Sequence, residues 1–155
     1  MIDDRVFRDA MGKFATGITV VTTKYNEEIM GMTVNAFMSV SLNPKLIAIS
    51  IDEKATMYNI LQETNSFGVS MLRDDQQDVS MVFAKQKDSN CNIKFTYQNN
   101  IPVLEDGLVT LSCRVQQQTK AGDHMIFFAE VTEIQLNDGQ PVLYYGGEYR
   151  TIQPK

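Results

Sequence analysis

The chain contains no tryptophan, one histidine, two cysteines and four prolines in 155 residues. These scarcities exclude several chemistries. With a single imidazole, and with cysteines at 91 and 113 rather than in a CxxC pair, no usual zinc set can be assembled. An HExxH metalloprotease motif would need two histidines. The two thiols read as free, buried or half-buried cysteines in a reducing cytosol. Long hydrophobic runs are missing as well. Stretches such as "LIAISI" are far too short to span a bilayer. The N-terminus "MIDDRVFRDAMGKF" is charged and amphipathic, with no apolar signal-peptide core. The expectation is a cytoplasmic protein with no membrane partner. Positive charge is also short, with 14 Lys and Arg against 19 Asp and Glu and a net charge of -5. Phosphate backbones are bound by concentrated Lys and Arg, so nucleic acid is not the expected partner.

Familiar catalytic signatures are absent too. "GKFATG" spaces two glycines like a phosphate loop but lacks the Lys-Ser/Thr that follows in a Walker motif. There is no GxGxxG. A Ser-His-Asp triad could use His124, but no GxSxG elbow presents a serine to it.

What remains is ordinary globular composition, 43% hydrophobic and 21% charged, over a length that suits one domain, residues 1–155. Val6, Phe7, Ala10, Met11 and Phe14 recur at helical spacing, which predicts an amphipathic helix begun by Asp3 or Asp4 and closed near Gly17. "GITVVTTKY", "IMGMTV", "KLIAISID" and "SFGVSML" read as strands, the third buried on both faces. "NAFMSVSLNP" reads as irregular. "KATMYNILQET" and "DDQQDVSMVFAKQ" predict two further helices. Residues 85–100 read as a polar loop with a short strand. "GLVTLSCRVQQQT" and "HMIFFAEVTEIQLN" form a long hairpin through "KAGD", and one or two short strands surround Gly146-Gly147. Seven or eight strands and three helices, without regular βα alternation, predict a mainly β, mostly antiparallel barrel with helices outside.

Two segments carry candidate chemistry. Thr33, Asn35, Ser39 and Ser41 place short hydrogen-bonding side chains in an irregular connection, where free backbone groups need partners. A planar heteroaromatic ligand with polar edges is one such partner; an ordinary Ser/Thr/Asn-rich connection is the other reading. Asp52 ends a strand, and Glu53-Lys54-Ala55-Thr56 opens a helix, a natural place for a phosphate or for a plain N-cap by Asp52 or Thr56. Strand alternation puts His124 with Ile126, Phe128 and Glu130, away from the apolar face of Met125, Phe127, Ala129 and Val131.

The segments "FATGITVVTT", "GMTVNAFMSVSLNPKLIAISID", "GDH" before a strand and "VLYYGGEYR", in that order, resemble the flavin reductase-like family of short-chain NAD(P)H:flavin oxidoreductases. These are small components of two-component flavin monooxygenases. The resemblance runs from Phe7 to about Ile152. It implies a split β-barrel with Greek-key-like connections, a homodimer, FMN or FAD as flavin, and NADH or NADPH as co-substrate. It implies hydride transfer to flavin N5 and a partner oxygenase served by diffusible reduced flavin. A tightly held FMN serving electron transfer, or a non-catalytic flavin-binding module, are the alternatives.

By the same resemblance, Thr33, Val34, Asn35 and Ala36 would line the isoalloxazine. Ser39, Val40 and Ser41 would hold its polar edge or the ribityl chain. Asp52, Lys54, Ala55 and Thr56 would lie toward the phosphate, with Phe83 and Ala84 closing that end. The family carries an arginine shortly after that pair; here "FAKQKDSN" puts Lys85 or Lys87 in its place. His124 would sit near the nicotinamide as the catalytic residue, with Tyr149 and Arg150 at the same mouth. Without the resemblance, His124 reads equally as a strand-start histidine bonded to Asp123. The apolar face holding Ile126 and Phe128, and that holding Leu143 and Tyr145, need cover, which a second subunit supplies most economically, though a helix of the same chain could serve.

Overall fold

The computed structural model describes residues 1–85 and 92–155. Lys87 and Cys91, named above, lie outside them. Among the described residues there are three helices and twelve strands. Helix α1 (Asp4–Met11) is capped by Asp3, whose carboxylate accepts from the Arg5 and Val6 amides at 2.8 and 3.4 Å. It ends at Gly12, earlier than the apolar spacing suggested, because β1 (Thr16–Gly17) must reach a small sheet. Then follow β2 (Thr19–Tyr25), β3 (Glu28–Val34), β4 (Phe37–Ser41), β5 (Leu46–Asp52), α2 (Thr56–Thr64) and β6 (Ser66–Met71). Helix α3 (Gln77–Phe83), β7 (Phe95–Gln98), β8 (Ile101–Leu104), β9 (Val109–Ala121), β10 (His124–Leu136), β11 (Val142–Tyr145) and β12 (Glu148–Thr151) complete the chain.

The main sheet has seven antiparallel strands in the order β3-β2-β6-β9-β10-β5-β4. Strands β1, β11 and β12 form a second sheet, and β7 and β8 a hairpin. This corrects the expected split β-barrel. Strands β3 and β4 stand at opposite edges of the main sheet, and no ladder joins them. The reason is the link Asn35-Ala36. Instead of laying β4 beside β3, it carries the chain across to β5, where Phe37 pairs with Ile49 and the Ser50 amide donates to Ala36 O at 3.1 Å.

Strand periodicity divides the sheet cleanly. Val21, Ile49, Ile51, Phe67, Val69, Leu111, Phe127 and Ala129 share one face with Met57, Ile60 and Leu61 of α2, and all are buried. A smaller cluster on the other face joins Ile18, Val20, Leu72, Leu104 and Val142. Along β10, Met125, Phe127 and Ala129 are buried while His124, Ile126 and Phe128 are half-buried, as alternation requires.

Candidate functional site

A cleft of about 1140 Å³ opens on the sheet face opposite α2. Its floor is built by register. Ile126 of β10 lies opposite Ser50 of β5, and Met38 of β4 opposite Ala48, so these four side chains share one face. All four line the cleft, with Asn35, Ala36 and Phe37 beside them. The other side comes from Phe7 and Met11 of α1, from Tyr144, and from the hairpin tip Gly146-Gly147. Both glycines have positive φ, 61° and 79°, which makes the two-residue turn between β11 and β12 possible. The Gly146 amide donates to Gly12 O at 2.9 Å and so ties the tip to the end of α1. Small-molecule sites commonly enclose about 300–1,000 Å³. This cleft lies just above that range. An apolar floor with few polar groups suits flat heteroaromatics, which stack on hydrocarbon and need hydrogen bonds only at their edges.

His124 lies on the same face as Ile126, about 7 Å further along the strand. Its partner across β5 is Asp52. Its Nδ1 lies 2.8 Å from Asp123 Oδ1, and its side chain is 39% exposed. The Asp123 carboxyl is held below the usual carboxylate range, first by this hydrogen bond, with Lys54 contributing charge. Gly122, at φ 61°, starts the tight turn, and the Glu53 amide donates to Asp123 O at 2.9 Å. The turn is therefore pinned to the end of β5. The bond to Asp123 expected of a strand-start histidine is present, but it engages only one ring nitrogen.

The remaining predicted residues separate into groups. Asn35 and Ala36 are exposed and line the cleft. Thr33 is turned the other way, its hydroxyl donating to Ser80 O of α3 at 2.6 Å, and Val34 is buried in the main core. Asp52, Lys54, Ala55 and Thr56 cluster at the His124 end of β5. There Asp52 Oδ1 accepts from the Lys54 amide at 2.9 Å. Ala55, not Asp52 or Thr56, is the N-cap of α2, and it offers no side-chain acceptor. Beside this corner Lys120 is ion-paired to Glu53 and lies over the Tyr58 ring. Ser39 and Ser41 pair with Ile47 and Leu46 at the opposite end of β5, about 20 Å from Asp52, with Val40 in the bulge between them. Phe83 packs edge-on to Phe95 and covers Gly31, where any Cβ would meet its ring at 2.6 Å. Ala84 caps α3 and is exposed. Lys85, at φ 59°, follows it. Arg150 pairs with Glu148 at 2.8 Å, stacks on Tyr145, and with Tyr149 lines a smaller pocket of about 580 Å³ on the far side of the hairpin.

Sequence reasoning did not mark Ser50, Tyr144 or Thr16. Ser50 could have been found only through the register of β5 on β10. Thr16 sits in the quoted "FATG" segment and lines the cleft; among the described residues its buried hydroxyl has no hydrogen-bond partner.

Fold and cleft together describe a mainly β protein with a cleft on the sheet face opposite α2. The chain belongs to the flavin reductase like domain family, whose model matches residues 11–153. It is 39% identical over 149 residues to an NADH-dependent flavin reductase of a Rhodococcus species, covering 94% of this chain and 85% of that protein. It is 36% identical to the reductase component of 4-hydroxyphenylacetate 3-monooxygenase of Thermus thermophilus, covering 94% and 95%. Among solved structures, the flavin reductase PheA2 in its native state superposes with a TM-score of 0.96 at 46% identity, covering 99% of this chain and all of that one. The NADH:FAD oxidoreductase SgcE6 of Streptomyces globisporus, in complex with NAD and FAD fragments, gives 0.91 at 32% identity, covering 99% and 97%. No helix among the described residues is long and apolar enough to cross a membrane.

Proposed function

We propose that the protein is an NAD(P)H-dependent flavin reductase whose cleft over β4, β5 and β10 takes the flavin ring and the nicotinamide together. The observation that carries this reading is the cleft itself: its size, its apolar floor, and its place in a chain with flavin reductases as relatives. The bound flavin and nicotinamide supply the hydride chemistry, from nicotinamide C4 to flavin N5. The protein's part is to bind, stack and orient them. Ala48 and Ile126 give an apolar surface for a ring face. Asn35, Ala36 and Ser50 give polar groups at a ring edge. Lys54, with the open first turn of α2 at Ala55 and Thr56, gives positive potential for a phosphate. His124, held through Nδ1 by Asp123, keeps Nε2 for the nicotinamide carboxamide. No strong acid or nucleophile is needed, which agrees with a chain that has one histidine.

Relatives named as reductase components support a partner monooxygenase supplied with reduced flavin by diffusion. A homodimer completes the reading. Helix α1 buries none of its residues, yet it presents Val6, Phe7 and Met11 to solvent, and Phe14 follows at 77% exposure. A second copy covers this surface most economically. The test is NAD(P)H consumption with and without added FMN or FAD. Turnover that rises with free flavin supports the reductase. Colour without nicotinamide oxidation would mark a flavin-binding module instead.

A further inference from the structure

The β11–β12 hairpin walls the cleft but belongs to the small sheet, not to the main one. Its apolar anchor is Val142, buried with Ile18, Val20, Leu72 and Leu104, and Tyr144 and Tyr149 pack against that cluster. Strand β11 pairs with the two residues of β1, the Val142 amide donates to Leu72 O at 3.3 Å, and Gly146 holds Gly12. Strand β12 is an edge with β11 as its sole strand neighbour. One of its side chains reaches the main body: Tyr149 OH lies 2.9 Å from Ser80 Oγ. Among the described residues this is the only side-chain hydrogen bond from the hairpin to the rest of the fold. Ser80 is 1% exposed in α3, and its carbonyl accepts from the Thr33 hydroxyl of β3. Two residues beyond Thr33 the chain enters the cleft at Asn35-Ala36. On the other side, the Tyr149 ring packs edge-on to Tyr144, a cleft residue, with centroids 5.5 Å apart. Two hydrogen bonds at the buried Ser80 of α3 therefore join Thr33, two residues before Asn35, to Tyr149 of the hairpin.

We propose that the Ser80–Tyr149 hydrogen bond is a latch that fixes the β11–β12 hairpin as a wall of the flavin cleft, making both residues positioning residues for flavin binding. Tyr149 does not line the cleft; it acts through Tyr144 and the glycine tip. A buried serine hydroxyl left without its partner is costly, which keeps the latch closed. Loosening it widens the wall without removing a group from the reacting rings, so uniform binding is lost rather than the chemical step. The proposal rests on the reading of the cleft as the flavin site.

Three variants test it: Tyr149→Phe, which keeps the ring and its packing, Ser80→Ala, and the double substitution. Two readouts apply. Amide hydrogen exchange at Tyr144–Glu148 is expected to speed up in each single variant, with β9 and β10 unchanged. The flavin KM is expected to rise roughly fivefold, the worth of about one hydrogen bond, with kcat altered less than about twofold. The double variant should cost no more than either single one, since both break the same bond and the double leaves neither hydroxyl unpaired. Unchanged exchange at the hairpin in both single variants overturns the latch, and so do KM effects that multiply in the double variant. Should the wild-type protein fail to reduce flavin, the reading of the cleft falls, while hydrogen exchange still decides the latch. Should Tyr149→Phe not fold, Ser80→Ala tests the same bond.

Discussion

His124 and Cys113 are the two residues whose surroundings say most about what they can do. His124 shares the sheet face of Ile126 but does not itself line the cleft, and one of its nitrogens is held by Asp123. If its free nitrogen bonds the nicotinamide, His124→Ala should lower kcat/KM for NAD(P)H about tenfold, the worth of one good hydrogen bond, and leave flavin affinity unchanged. Steady-state kinetics beside flavin fluorescence quenching would separate the two effects. Equal kcat/KM in variant and wild type would reduce His124 to a turn cap. Cys113 is fully buried, and burial pushes its thiol up to about 12. A raised value means that the folded chain holds this proton more tightly than the unfolded chain. The stability it contributes is therefore intact below the ordinary thiol range and is lost as pH rises toward 12. At pH 8, in a Cys91→Ser background, iodoacetamide should leave folded Cys113 unmodified and should alkylate it fully in urea. Rapid alkylation of the folded protein would contradict the burial.

Long elements were legible from the sequence, and short ones with mixed patterning were not. β5 announced itself as a near-continuous apolar run, and along β10 the alternation expected from His124 is followed by burial as far as Ala129. β4 was read as irregular because Ser39 and Ser41 interrupt its apolar residues; it forms because β5 offers an edge, and its exposed side chains explain the polarity. β8 was missed because Pro102 sits inside it, yet it pairs with β7 and Pro102 O accepts from the Thr22 hydroxyl. That contact also explains Gly68. A Cβ there would press on Pro102 O and on Val103 Cγ1 at 2.7 Å, so β6 and β8 can meet only over a glycine. Gly68→Ala should cost about 1–3 kcal/mol by urea unfolding. A neutral effect would mean that β8 moves freely. For the site the same rule held. Asn35 was marked by local pattern and Ala36 by the resemblance, and both line the cleft. Ser50, Tyr144 and Thr16 depend on register and on a second sheet, which no local window contains.

For the whole molecule, the resemblance predicted a family, and the family is found. The expected barrel closure is not, because the Asn35-Ala36 link spends its hydrogen bond on β5 and leaves two open edges. Ser39 and Ser41 pair with Ile47 and Leu46 and fall outside the cleft, and at the other end of β5 Asp52, Lys54, Ala55, Thr56 and His124 do not line it either. The bare apolar side of α1 belongs to this scale too. If a second copy covers it, Phe7→Glu should convert the protein from dimer to monomer in sedimentation velocity. A wild-type protein that sediments as a monomer at every concentration would contradict the dimer.

A cleft that brings nicotinamide and flavin together should show itself in NADH absorbance when the purified protein is mixed with NADH, alone and with FMN or FAD added. Oxidation should be slow alone and should become catalytic and saturate with free flavin. NADH consumption that does not respond to added flavin would contradict that role.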